Sequence, residues 1–205
     1  MISKRKYEEI IQNYGYTSSF AIWGKDVGDL SVFCSKNKPW ERINDKYVIV
    51  AMNPAKPITE RLRNFHCLIT DDGKHKDSRL MKSITGTPLE GSFMTDMSHI
   101  VSADSKNVKY NKEDIKSFIN KIESIGQFKK IILLFKKQEK EIDKWFREEG
   151  INIDRILNYN KQAARAVKTY CLNNNIPYEK GKFEESYIRA VHNQIEKIFK
   201  DEKDK

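Results

Sequence analysis

The chain has 205 residues, 39% hydrophobic and 33% charged, which is enough for one domain with a buried core and excludes a disordered or fibrous protein. Thirty-eight Lys and Arg stand against 29 Asp and Glu, giving a net charge of +9 and a surface suited to a polyanion such as nucleic acid. The longest apolar runs, Tyr47–Met52 and Ile131–Phe135, are too short to cross a bilayer, so no membrane partner is expected.

The opening residues, Met1-Ile-Ser-Lys-Arg-Lys-Tyr-Glu-Glu, lack the apolar core of a signal peptide, and a cytoplasmic protein is expected. Tyr14–Gly24 is aromatic and poor in charge, and reads as core cover or as an extra strand or loop against a sheet. Cys34, Cys67 and Cys171 are odd in number and far apart, with no Cys-x-x-Cys pair. That pattern argues against a disulfide framework, a zinc finger or an iron–sulfur cluster.

Four short apolar runs read as strands: Tyr47–Met52, Ser92–Thr95, Lys130–Phe135 and Ile153–Asn158. Helical patterns separate them. Asn111–Ile125 opens on an Asn cap and sets Ile115, Phe118, Ile119, Ile122 and Ile125 on one face. Lys137–Glu149 carries Ile142, Trp145 and Phe146 and stops at Gly150. A further helix is expected over Lys161–Asn173, and a last one from Glu184 with Ile188, Val191, Ile195, Ile198 and Phe199 in register. The tail Lys200–Lys205 reads as frayed.

Alternating strands and helices imply an α/β fold: a three-layer α/β/α sandwich around a central, mostly parallel four-stranded sheet, in one domain. Ligands of such sheets bind beyond the carboxyl ends of the strands. That rule puts the turn Met52-Asn53-Pro54 and the loops after Asp96, Phe135 and Asn158 on the functional edge. Pro54 crowds the residue before it, biasing Asn53 toward an extended backbone and aiming its carboxamide away from the strand end. Such an amide is no strong base, but it can orient a water or bond the edge of a nucleobase. A plain strand-ending turn is the competing reading.

The stretch "VIVAMNPA" resembles the first motif of the uracil-DNA glycosylase superfamily, nearest to the Met-Asn-Pro form of its single-strand-selective monofunctional branch and the Asn-Pro form of its mismatch-specific branch. The resemblance implies that Asn53 positions the hydrolytic water, with Met52 and Pro54 beside it. It implies a base-stacking aromatic about a dozen residues on, for which "RNFHCLIT" offers Phe65 or His66. "DSRLMKSI" and "GSFMTDMSHIV" then resemble the helix and strand that follow, and "IILLFKKQ" the next strand. Where the family has a His-Pro-Ser loop, this chain has "ILNYNKQAAR", so Asn158, Tyr159 and Asn160 stand in its place, Asn160 as the catalytic member. The order of elements matches from about residue 45 to 175.

The chemistry asked of the residues is consistent with this. An enzyme attacking a glycosidic bond in DNA must extrude the base, at roughly a few kcal/mol, and needs cations for phosphates, an aromatic platform and amides for the base edge. Lys136, Lys137 and Lys161 sit at strand-end loops for phosphates, Tyr159 is placed to wedge into the stack, and Asn158 and Asp96 face the pocket. Asp96 can accept a hydrogen bond from an exocyclic amine, or cap the helix after it. The run from Asp71 to Asp77, with His75, has no recognised metal-ligand spacing. No P-loop or GxGxxG occurs, which disfavours an unrelated nucleotide enzyme.

The expectation is a monofunctional DNA glycosylase acting as a monomer, without metal or cofactor, on a flipped uracil or modified base in single- or double-stranded DNA. The polar last loop suits a larger base than uracil, such as a hypermodified base of phage DNA, which would make the enzyme one of repair or antiviral defence. The alternative is a glycosylase-like module that binds single-stranded or damaged DNA without chemistry.

Overall fold

The computed structural model describes residues 1–67, 77–104, 107–159 and 163–203, the side chains of 201–203 excepted. Strands β1 (Ser18–Phe20), β2 (Asn44–Ala51), β3 (Ser92–Asp96), β4 (Lys130–Leu133) and β5 (Ile153–Arg155) form one sheet in the order β1-β3-β2-β4-β5. The four later strands run parallel, with Val48–Ala51 against Phe93–Asp96 and Tyr47–Val50 against Lys130–Leu133. β1 adds a fifth, antiparallel strand at the β3 edge, so the sheet has one strand more than expected. Ser18, Ser19 and Phe20 are all buried in it, which explains why this segment carries so little charge.

Side chains alternate between the faces of each strand. Val48, Val50, Phe93, Ile131 and Leu133 pack on one side against α1 (Lys4–Tyr14), α3 (Lys112–Ile125) and α4 (Glu139–Glu148). Tyr47, Ile49, Met94, Ile132 and Leu134 pack on the other against α2 (Asp77–Ile84), α5 (Ala164–Asn173) and α6 (Phe183–Lys203). The result is the three-layer sandwich, with both faces of the parallel strands covered as their continuous apolar runs require.

The α3 stripe is buried throughout, and its cap is a reciprocal box: Asp114 N donates to Asn111 Oδ1 at 2.9 Å and Asn111 N to Asp114 Oδ2 at 2.8 Å. α4 ends at Glu148, and Gly150 takes a φ of 72° just beyond. α6 continues through Lys203, into the tail read as frayed. Helix α1 was not anticipated, although Ser3 caps it and Tyr7, Ile10, Ile11 and Tyr14 share its inner face. Ahead of β3, Gly91 has a φ of 81°, and a Cβ there would meet Arg42 O at 2.2 Å, so the close approach of two chains requires glycine. No helix among the described residues is long and apolar enough to cross a membrane.

Candidate functional site

The carboxyl end of β2 lies at the centre of the sheet edge and delivers Met52-Asn53-Pro54 there. Asn53 is half-buried, and its Nδ2 donates to Ser102 O at 2.7 Å and to Pro54 O at 3.0 Å. Both amide hydrogens are thereby committed, and Oδ1 is left as an acceptor that no described residue occupies. Met52 O accepts from Tyr110 Oη at 2.6 Å and from Ser98 N at 3.0 Å. Gln138 locks Tyr110 through two backbone bonds, Tyr110 N to Oε1 at 2.9 Å and Nε2 to Tyr110 O at 3.0 Å. The turn is therefore held from three sides before any ligand arrives.

Beside it, Asp96 ends β3 in register with Ala51 and is only 6% exposed. Its Oδ2 accepts from Asn64 Nδ2 at 2.8 Å. Burial pushes the carboxyl up to about 6, and nearby Asp77 pushes the same way, while the Asn64 bond and the charge of Lys121 oppose the rise. Lys121 reaches the end of the strand from α3 and donates to Thr95 Oγ1 at 2.9 Å. Burial draws this ammonium down to about 8. On the other face Asp77, itself buried, accepts from Cys67 N at 2.9 Å and bonds the Tyr159 hydroxyl. Burial, followed by the charges of Asp77 and Asp96, keeps that phenol protonated.

Asn64 is itself fixed, donating to Thr17 O at 3.1 Å and accepting through its own carbonyl from Ser19 Oγ at 2.6 Å. It stands between Leu62 and Phe65, each with a φ of 63°, a conformation uncommon for non-glycine residues and rarer still for bulky ones. Two strained residues around the side chain that holds Asp96 mark this loop as shaped for placement rather than for ease of folding.

Met52, Asn53 and Pro54 follow the end of β2, and Asp96 ends the neighbouring strand β3. The others divide. Phe65 is 4% exposed and packs into the core of the α2–α5–α6 side, so it is core filler here rather than an open platform. His66 is fully buried, with Nε2 at 3.1 Å from Phe20 O and its ring against Trp23 and Phe33. Burial lowers its pKa to about 4, so it is neutral at pH 7, and its pocket role is corrected to a core one.

Asn158 spends its Nδ2 on Leu134 O at 2.9 Å, tying β4 to the chain after β5. Tyr159 packs toward the core with its hydroxyl on Asp77, which corrects its assignment as a wedge. Lys136 is exposed and Lys137 half-buried beyond β4. Asn160, Lys161 and His75 lie outside the described residues.

No family model matches this chain. Searches of curated proteins and of solved structures return no match either.

Asn64, Asp77, Tyr110 and Lys121 escaped the sequence reading. Asp77 heads an amphipathic helix, where an acid ordinarily reads as a dipole partner. Lys121 is three residues after Phe118 and four before Ile125, at the margin of a buried stripe, which was a usable signal. Among the described residues no group of three or more His, Cys, Asp or Glu is disposed to hold a metal. Chemically, the edge offers one oriented amide oxygen, one buried carboxylate that titrates near neutrality and a protonated phenol behind it. That set can orient a water and accept hydrogen bonds from a polar planar ligand.

Proposed function

We propose that the protein is a monofunctional DNA glycosylase that hydrolyses the N-glycosidic bond of an extruded uracil or modified base. The observation that carries this reading is the Asn53 amide, whose two hydrogens are fixed on Ser102 O and Pro54 O so that its oxygen presents at the centre of the sheet edge. A water held there attacks C1′ as the bond from C1′ to the base nitrogen breaks. The base leaves with the bonding pair and gains a proton, and the sugar keeps the hydroxyl. Asp96 accepts a hydrogen bond from a ring N–H or, in a modified base that carries one, from an exocyclic amine, and a buried carboxylate is a selective partner for such a donor. The net charge of +9 favours DNA as the substrate.

End-labelled single- and double-stranded oligonucleotides carrying uracil or a panel of modified bases test this. Alkali-dependent breakage at one base, absent with Asn53→Ala, is the expected result. No breakage at any base would defeat the reading.

One observation favours a second reading, a binding module without chemistry. Asn158 and Tyr159, at the place of the expected catalytic loop, are both bonded into the protein. In that case DNA binds in a salt-dependent way and Asn53→Ala changes nothing measurable.

A further inference from the structure

Five large apolar side chains are exposed among the described residues: Met1, Tyr16, Ile100, Val101 and Leu172. Isolated ones are ordinary on any protein surface. Ile100 and Val101 differ, because they are adjacent, 51% and 48% exposed, and sit beside the Asn53 turn. The chain leaves that turn and comes back to it within a few residues. On the way out Met97 N donates to Ala51 O at 2.9 Å and Ser98 N to Met52 O at 3.0 Å. On the way back Ser102 N donates to Pro54 O at 3.0 Å and Ser102 O accepts from Asn53 Nδ2. Ser98 Oγ also accepts from Ile100 N at 3.1 Å, tightening the bend. An exposed apolar pair is thus carried on a loop braced against the Asn53 turn.

We propose that Ile100 and Val101 form a wedge that enters the base stack of duplex DNA and occupies the gap left by the extruded base, an inference that rests on the glycosylase reading. Wedges of this kind are compact and apolar, and they stabilise an unstacked step that would otherwise cost a few kcal/mol. Both side chains are β-branched, hence stiff at χ1 and cheap to immobilise. Two half-exposed side chains fall far short of the roughly 800 Å² that one partner brings to a stable protein interface, which disfavours a protein occupant. Exposed Lys56 and Lys109 lie on the loops that carry the turn and the tip, where phosphates would pass. Tyr159 is excluded from the role by its bond to Asp77.

The test is the double variant Ile100→Ser with Val101→Ser. On whichever base the oligonucleotide panel identifies, single-turnover excision from duplex should fall about ten-fold or more, with single-stranded excision within about three-fold of wild type. Ile100→Leu in an otherwise wild-type chain should keep duplex excision. Equal loss on both substrates, or no loss on duplex, overturns the wedge.

A second readout is independent of catalysis. A duplex with a tetrahydrofuran abasic analogue beside 2-aminopurine should brighten when saturated with wild-type protein and stay dark with the double variant. Brightening that survives in the double variant, or none with wild type, overturns the proposal. Brightening specific to wild type, in a protein that excises nothing, keeps the wedge and rejects the glycosylase.

Discussion

The carboxyl edge of the sheet has two halves built from similar residues and used differently. At the β2–β3 half, backbone carbonyls of the following loop absorb the Asn53 amide hydrogens, and a buried carboxylate stands in the next strand. At the β4–β5 half an asparagine is turned inward, and its amide ties Asn158 to Leu134 O. An asparagine at a strand end is thus not a site in itself. Both amides donate to backbone carbonyls, and what separates them is where those carbonyls lie: those of Asn53 belong to its own turn and to the loop after β3, beside a buried carboxylate, whereas that of Asn158 is Leu134 O, just past the end of β4.

The sharpest way to break this contrast is Asn53→Ala. Under the glycosylase reading it lowers excision at least about 100-fold while salt-dependent DNA binding persists. Next comes Asp96→Asn, which keeps an acceptor for Asn64 and removes the charge. The folded carboxyl titrates at about 6, above its ordinary 3.8, so its ionised form opposes folding. Its favourable contribution is complete below about pH 4 and is lost as pH rises through 6, an effect on the order of 3 kcal/mol. The variant should therefore melt above wild type at pH 8, with the gap closing toward pH 4. If ionised Asp96 receives the N–H of the base, wild-type excision climbs through about pH 6 and the variant gives a flat profile. A flat wild-type profile would remove Asp96 from the chemistry.

Most of the framework was legible because periodicity encodes it. The α3 stripe, the four parallel strands and the stop at Gly150 all follow from which positions are apolar. Strand ends were less so: β5 stops at Arg155, three residues before the apolar run does, because Ile156 and Leu157 turn into the core beyond the last ladder bond. β1 is ambiguous in the sequence, since Ser18 and Ser19 are polar residues buried by side-chain bonds, to Thr95 Oγ1 and Asn64 O, that no local pattern announces.

Within the site, Asn53 and Asp96 could be placed by the strand-end rule alone. His66 and Tyr159 could not be, because their roles depend on partners 46 and 82 residues away in sequence, Phe20 and Asp77. Lys121 was hidden for the same reason, its partner Thr95 being in another element.

The far half gives a smaller and opposite kind of effect. Asn158→Ala removes the bond to Leu134 O and should cost about 1 kcal/mol of stability by denaturant titration. Excision by the remaining folded protein should stay within about two-fold of wild type, since the side chain serves the fold and not the substrate. A drop well beyond the stability loss would place the β4–β5 half in the site and dissolve the contrast.

The smallest effect is expected at Lys136, exposed beyond β4 and in no ion pair among the described residues. A lysine that meets a phosphate contributes one released counterion, so Lys136→Ala should lower the slope of log affinity against log salt by about 0.9 on duplex DNA and about 0.7 on single strands. The loss should be the same for every sequence, because a phosphate contact carries no base information. Combined with Asn53→Ala, the two changes should add, one acting on binding and the other on the bond-breaking step. An unchanged salt slope would mean that DNA crosses the β2–β3 half alone, where Lys56 and Lys109 stand, and that the β4–β5 half is scaffold to its outermost residue.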